Sequence, residues 1–179
     1  MASNAGIQDS TTETDEGRVV KAEIYKAEGN EFFKMGEYKK AIKKYHFALM
    51  YLKGIGEKHP ITQEQKVLTE DWKKRFDEMK FSCYNNLAAC LVKDNRWEKV
   101  IEYSNKALEV HPENAKAWFR KGQGYYHTRN WDKAFEALNQ ARKLEPDDAN
   151  IKKYEIKVEQ ELKKYREKEK IMYAGMFAK

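Results

Sequence analysis

The sequence predicts an all-α protein, a right-handed solenoid of three helix-turn-helix repeats with a long C-terminal capping helix. Three observations favour this fold. A pattern of small and large residues recurs every 34 residues, breaker-rich stretches separate the helical segments, and a charged amphipathic stretch follows the last repeat. The recurrence decides between folds, because a plain helical bundle gives no reason for both small and large positions to return at a fixed spacing.

The recurrence is clearest in the second half of the chain. Trp97 and Trp131 are 34 residues apart, and so are Pro112 and Pro146. Each proline follows a helical run and ends it, because proline has no amide hydrogen and a fixed φ. The small positions, which let a neighbouring helix approach closely, are Gly29, Ala88 and Gly122. We therefore expect repeats at about 22–55, 81–114 and 115–148.

The first two repeats are separated by an insertion at about 53–80. Gly29 and Ala88 are 59 residues apart, about 25 more than one period of this kind of repeat. The insertion begins with the breaker-rich residues 54–61 and continues as a helical stretch with Val67, Trp72 and Phe76 as its inward face. We interpret it as a lengthened second helix of repeat one and a lengthened first helix of repeat two. The expected N-cap of the latter is Thr62.

The two ends of the chain differ in composition. Residues 1–18 are small, polar and acidic without apolar periodicity, which predicts a disordered tail, and they contain no apolar core of a signal peptide. The rest, 19–177, is expected to form one domain. From about 149 to 177 the apolar residues follow helical spacing, and a solenoid needs such a helix to cover its last repeat.

Composition argues against several functions. The 35 basic and 29 acidic residues are interleaved, which indicates a solvated surface and no nucleic-acid binding. No apolar run has membrane-spanning length, so we expect no membrane insertion. Cys83 and Cys90, two turns apart on one helix, are too distant for a disulfide, and a reducing cytoplasmic location, or else the nucleus, fits them best. Neither a metal site nor any known catalytic motif is present, so the sequence predicts no enzyme, metal or cofactor.

Five polar residues predict a binding pocket. Lys26 and Asn30 share one helix face, as do Lys116 and Arg120, and Asn86 lies one 34-residue period before Arg120. All three segments are first helices of a hairpin, so their side chains should meet in one concave groove. Cationic groups with amide donors make charge-assisted hydrogen bonds to carboxylates. The alternative is that these are ordinary surface bases, but asparagine within a helix gains nothing from helix propensity.

The stretches "KAEGN", "YNNLAACL" and "KAWFRKG", followed by "KYREKEKIMYAGMF", carry a family resemblance. The chain resembles the tetratricopeptide repeat (TPR) domain at the C-terminal end of large immunophilins and, more closely, the stand-alone proteins of the tetratricopeptide-repeat-nine family. The resemblance runs from about residue 21 to 177. The isomerase domain of the immunophilins has no counterpart in this sequence, so a chain that is complete as given is expected to have no prolyl isomerase activity.

The resemblance implies a co-chaperone site called a carboxylate clamp. In such proteins the clamp holds the C-terminal Glu-Glu-Val-Asp of heat-shock chaperones of the ninety- and seventy-kilodalton classes. By the family pattern Lys26, Asn30 and Asn86 would hold the terminal carboxylate, and Lys116 and Arg120 would meet upstream carboxylates and carbonyls. Gln123 and His127, further along the same helix, would widen the contact.

Several alternatives remain open at this level. The leading function is a cytosolic co-chaperone-like adaptor that binds a chaperone tail and a second, unknown protein. The rival is an interaction scaffold that binds an unrelated peptide or helix and leaves the clamp unused. The basic C-terminal stretch matches a calmodulin-target or surface-binding helix as well as a capping helix, although a solenoid favours the cap.

Overall fold

The computed structural model describes residues 14–55 and 69–177, which form seven helices and no strand. The helices are α1 (Asp15–Lys34), α2 (Tyr38–Leu52), α3 (Glu70–Lys93), α4 (Trp97–Val110), α5 (Ala115–His127), α6 (Trp131–Leu144) and α7 (Ala149–Phe177). Consecutive helices pack as the hairpins α1–α2, α3–α4 and α5–α6, and α7 packs on α6. The all-α TPR solenoid predicted from the sequence is confirmed.

The three hairpin turns share one backbone conformation. Gly36, Asn95 and Arg129 have φ values of 76°, 55° and 60°, in the left-handed region. The amide of the following residue donates in each case to a carbonyl five residues earlier, as in Glu37 N to Phe32 O at 2.9 Å. This is the Schellman arrangement that satisfies the last carbonyls of a helix. The recurrence seen in the sequence is therefore also a recurrence of turn geometry.

Helix α1 begins earlier than the sequence predicted. The Thr14 hydroxyl accepts from the Gly17 amide at 3.1 Å and caps the helix, and Asp15 and Glu16 lie in the first turn. Acidic side chains there interact favourably with the positive end of the helix dipole. The predicted disordered tail at 1–18 therefore extends too far, since residues 15–18 are helical. Residues 1–13 lie outside the described residues.

The insertion lengthens one helix and not two. Helix α2 has 15 residues, close to the 14 of α4 and α6, because the chain turns at Gly54 with φ 83°. The expectation of a lengthened second helix in repeat one is therefore wrong. Helix α3 is long, with 24 residues against 13 in α5. It begins at Glu70, where the Thr69 side chain accepts from the Trp72 amide; the expected cap Thr62 lies outside the described residues.

The extra turns of α3 cover the first hairpin. Phe76 and Met79 are buried against Val19 and Ala22 of α1 and Leu52 of α2. Trp72 packs at the edge of this cluster, while Val67 lies outside the described residues. The Arg75 guanidinium also donates to the Glu23 carboxylate of α1 at 2.6 Å. The insertion therefore adds a hydrophobic cluster that joins α3 to the first hairpin.

Helix α7 is a cap only along its first half. Ile151, Val158 and Leu162 are buried, and the nearly buried Glu155 accepts from Arg142 of α6 at 2.8 Å. Between residues 163 and 176 almost every side chain is exposed. The second half of α7 is therefore largely exposed to solvent. Within 14–55 and 69–177, no helix is both long and apolar enough to span a membrane.

Candidate peptide-binding groove

The first helices of the hairpins line one face of the solenoid. Helix α3 contacts both α1 and α5, so side chains from all three converge. Asn30 of α1, Asn86 of α3 and Arg120 of α5 line a cavity of about 400 Å³, together with Tyr45 of α2. Three of the five residues predicted from the sequence are thus brought together by three separate helices.

The two asparagines form a hydrogen-bonded network with a buried tyrosine. The Tyr45 hydroxyl donates to Asn30 Oδ1 at 2.8 Å, and Asn86 Nδ2 donates to the same oxygen at 3.0 Å. Burial raises the pKa of Tyr45, so the hydroxyl remains protonated and able to donate. Because Asn30 Oδ1 receives both donors, the Asn30 amide nitrogen is the atom left to donate to a ligand.

Gly29 makes room for this network. A Cβ atom placed on Gly29 would lie 2.7 Å from Cε1 and 2.9 Å from Cδ1 of the Tyr45 ring, far closer than van der Waals contact. Tyr45 is itself 1% exposed and cannot swing into solvent. The missing side chain at Gly29 therefore allows the Tyr45 hydroxyl to reach Asn30.

We expect Gly29→Ala to lower the free energy of unfolding by about 1–2 kcal/mol, because overpacking outweighs the better helix propensity of alanine. Urea denaturation would measure the change. Gly175→Ala is the matched control, since a Cβ there meets nothing within 4 Å and alanine should be neutral or slightly stabilising. Equal stability of the two variants would show that Tyr45 moves freely.

Arg120 supplies a positive charge to the cavity. Its Nη1 atom donates to Asn85 Oδ1 at 2.5 Å, and no carboxylate among the described residues pairs with it. Burial lowers the pKa of Arg120, but a guanidinium starts so far above neutrality that it stays charged. A partly buried, uncompensated guanidinium is suited to an anionic ligand.

The predicted lysines lie one turn away from this cavity. Lys26 precedes Asn30 on α1 and is partly buried, close enough for its charge to act on the Cys83 thiol. Lys116 precedes Arg120 on α5 and is exposed. One helical turn is about 5.4 Å, so each lysine lies about that far along its helix from a residue that lines the cavity.

The cavity also has an acidic residue that the sequence analysis did not include. Glu31 lines it, but its carboxylate accepts from Lys34 at 2.8 Å. Both side chains are well exposed, so the pair lies at the rim and its charges offset each other. Asn30, Asn86 and Arg120 contribute no negative charge of their own.

The two outer residues predicted on α5 have different environments. Gln123 is partly buried, three residues after Arg120. The His127 ring stacks on Trp97 with centroids 3.7 Å apart and planes at 8°, and its Nε2 lies 3.5 Å from the Tyr154 hydroxyl. Burial, with the nearby charge of Lys157, lowers the pKa of His127. His127 is exposed, contacts Trp97 of α4 and Tyr154 of α7, and is not among the residues that line the cavity.

The cysteines beneath the groove are not placed for chemistry. Cys83 and Cys90 are both free and buried on α3, and burial raises the pKa of each thiol to about 12. A thiol that stays protonated at neutral pH is a poor nucleophile and metal ligand. In the part of the chain that the structure describes, no three His, Cys, Asp or Glu side chains are grouped to hold a metal ion.

Comparison with known proteins agrees with this architecture. The tetratricopeptide repeat family model matches residues 115–148, the third hairpin. Tetratricopeptide repeat protein 9C of Xenopus tropicalis is 33% identical over 166 residues, which cover 89% of this chain and 93% of that protein. The chain belongs to the tetratricopeptide repeat protein 9 family. Membership in this family implies a general role in protein interaction.

Two solved structures of TPR domains have a similar fold. The C-terminal TPR domain of a putative FK506-binding protein of Plasmodium falciparum is 30% identical, with a TM-score of 0.76, covering 86% of this chain and 96% of that one. The first TPR domain of Spaghetti (RPAP3), bound to the HSP90 peptide SRMEEVD, is 19% identical with a TM-score of 0.62 and covers 80% and 94%. The second comparison concerns the fold alone.

Proposed function

We propose that this member of the tetratricopeptide repeat protein 9 family is a co-chaperone-like adaptor whose groove binds an acidic C-terminal peptide through a carboxylate clamp. The observation that carries the proposal is the convergence of Asn30, Asn86 and the uncompensated Arg120 on one cavity. A peptide whose last residue carries both a side-chain carboxylate and a terminal carboxylate suits this donor set. Arginine and asparagine together provide donors for both groups.

The positions of the five residues suggest how the peptide is divided among them. Asn30 and Asn86, with Lys26 one turn away, would hold the terminal main-chain carboxylate, and the last aspartate side chain would be shared among the bases. Arg120 and Lys116 would meet the carboxylates and carbonyls that precede it. Gln123 would extend the contact along α5, and His127, whose exposed ring stacks on Trp97, would lie at its outer end.

The chaperone partner is proposed from the fold and the peptide chemistry together. The same fold binds SRMEEVD in Spaghetti. Cytosolic chaperones of the ninety- and seventy-kilodalton classes end in Glu-Glu-Val-Asp, and an adaptor for them would act in the cytoplasm, or also in the nucleus, without catalysis or cofactor. A second protein would bind outside the groove.

Removing the negative charge of the peptide's C-terminal carboxylate tests the proposal. We expect a peptide ending in Met-Glu-Glu-Val-Asp to bind with a dissociation constant roughly tenfold lower than that of the same peptide amidated at its C-terminus. Amidation removes one charged acceptor and leaves partly buried donors unmatched, at a cost of about 1–3 kcal/mol. Isothermal titration calorimetry of the acid and the amide measures the difference.

The control is a peptide of the same composition in scrambled order, which keeps the charge and loses the terminal pattern. Equal affinity for acid and amide would contradict the clamp and favour the rival function, an interaction scaffold that binds internal segments or helices. A steep salt dependence without any requirement for a free carboxylate would instead point to nucleic acid.

A further inference from the structure

Asn85 is the side chain that holds Arg120 in the groove. The two residues lie on neighbouring helices, α3 and α5, and their side chains meet at 2.5 Å between Arg120 Nη1 and Asn85 Oδ1. Arginine can only donate, so the atom facing it must be the amide oxygen of Asn85. Asn85 thus contacts α5, whereas its neighbour Asn86 donates to Asn30 of α1.

The chemistry of this contact matters because Asn85 is neutral. A guanidinium has five donor N–H groups, so one hydrogen bond to an amide leaves most of them for a ligand. The bond orders a side chain that otherwise has large conformational freedom, and the positive charge is not neutralised. An aspartate of the same shape would form an ion pair with Arg120 and compete with any carboxylate that approaches.

We infer that Asn85 is a positioning residue of the groove, which orders Arg120 for a carboxylate ligand while leaving its charge uncompensated. This inference rests on the proposed function, because its consequence is measured as peptide affinity. It concerns a residue outside the five that the sequence pattern identified. Asn85 acts through Arg120 and is assigned no contact with the peptide.

Two substitutions of Asn85 separate its ordering of the Arg120 side chain from the effect of a charge at this position. We expect Asn85→Ala to weaken binding of the Met-Glu-Glu-Val-Asp peptide roughly threefold to tenfold, the range for one lost hydrogen bond. Asn85→Asp should weaken it more, by roughly tenfold to hundredfold, because a charged acceptor holds Arg120 against the ligand. The melting temperature of Asn85→Ala should not fall below that of the wild type, since alanine forms helices better than asparagine. Calorimetry and thermal melting measure the two effects.

A double-mutant cycle tests whether Asn85 acts through Arg120. In an Arg120→Ala background, adding Asn85→Ala should change the affinity for the peptide by less than about twofold, because the side chain that Asn85 positions is gone. NMR titration measures these weak affinities. Asn105→Ala, an asparagine of the outer helix α4, is the control and should leave affinity unchanged in both backgrounds. In the free protein, the Arg120 Nε–H signal should report hindered side-chain rotation that Asn85→Ala releases.

The outcomes separate this inference from the proposed function. A wild-type protein that fails to bind the peptide would overturn the proposed function, and the role of Asn85 with it. If the wild-type protein binds the peptide and both Asn85→Ala and Asn85→Asp bind it with wild-type affinity, the role of Asn85 alone is overturned. An Asn85→Ala effect that is undiminished in the Arg120→Ala background would overturn that role as well.

Discussion

Arg120→Ala is expected to weaken binding of a peptide ending in Met-Glu-Glu-Val-Asp by up to about a hundredfold, and Lys116→Ala by about tenfold. A hydrogen bond to a charged group contributes roughly 1.5–3 kcal/mol, and the larger value suits the less exposed cation. Arg120 is partly buried beside Asn85, whereas Lys116 is exposed at the start of α5. Calorimetric titration of each variant gives the two ratios.

Both variants should melt at the wild-type temperature, because alanine suits a helix surface and neither cation pairs with a described carboxylate. Lys143→Ala, which removes an exposed cation from α6, controls for the general loss of positive charge and should bind normally. Wild-type affinity in Arg120→Ala and Lys116→Ala, or a loss that merely follows unfolding, would contradict the clamp and leave the scaffold function.

Tyr45→Ala is expected to cost about 3–5 kcal/mol of unfolding free energy, the range for removing a large buried aromatic side chain. Tyr45 is 1% exposed and packs with Leu87 and Cys90 of α3. A domain of this size has a total stability of about 5–15 kcal/mol, so the loss would be a large share. The midpoint of urea unfolding at unchanged m-value gives the measurement.

Tyr45→Phe separates the ring from its hydroxyl. The phenylalanine ring fills the same space, so stability should fall by only about 1 kcal/mol for the lost hydrogen bond. Asn30 would lose the donor that fixes its amide, and peptide affinity should fall with it. A Tyr45→Phe variant that binds the peptide as tightly as the wild type would show that Asn86 alone orients Asn30.

The helical elements follow from the sequence wherever the repeat pattern reaches. Pro112 and Pro146 each lie two residues after the end of a helix, as their missing amide requires. The repeat pattern does not cover the insertion, where the left-handed conformation of Gly54 makes α2 end earlier than expected. Thr14 is a good N-cap, but it lies in a polar, acidic stretch whose composition predicted disorder. The first turn of α1 was therefore missed.

The candidate site was only partly accessible to sequence analysis. Spacing placed Asn30, Asn86 and Arg120 on equivalent first helices, and the structure brings them to one cavity. Spacing could not reveal that Tyr45 or Asn85 would support them, because those contacts join different helices and depend on side-chain reach. The signal for Asn85 was present as the first of the two asparagines in "YNNLAA", because an asparagine inside a helix gains nothing from helix propensity.

The long first part of α3 makes the array asymmetric. In a regular TPR array each unit can be exchanged for another, because every interface is the same. Here Phe76 and Met79 reach back across the first hairpin, and Arg75 bonds to Glu23. The first hairpin and α3 therefore form one building block, and α3 also packs on α4. Chimeras with other TPR proteins would need their junction after Val110 rather than between the first two hairpins.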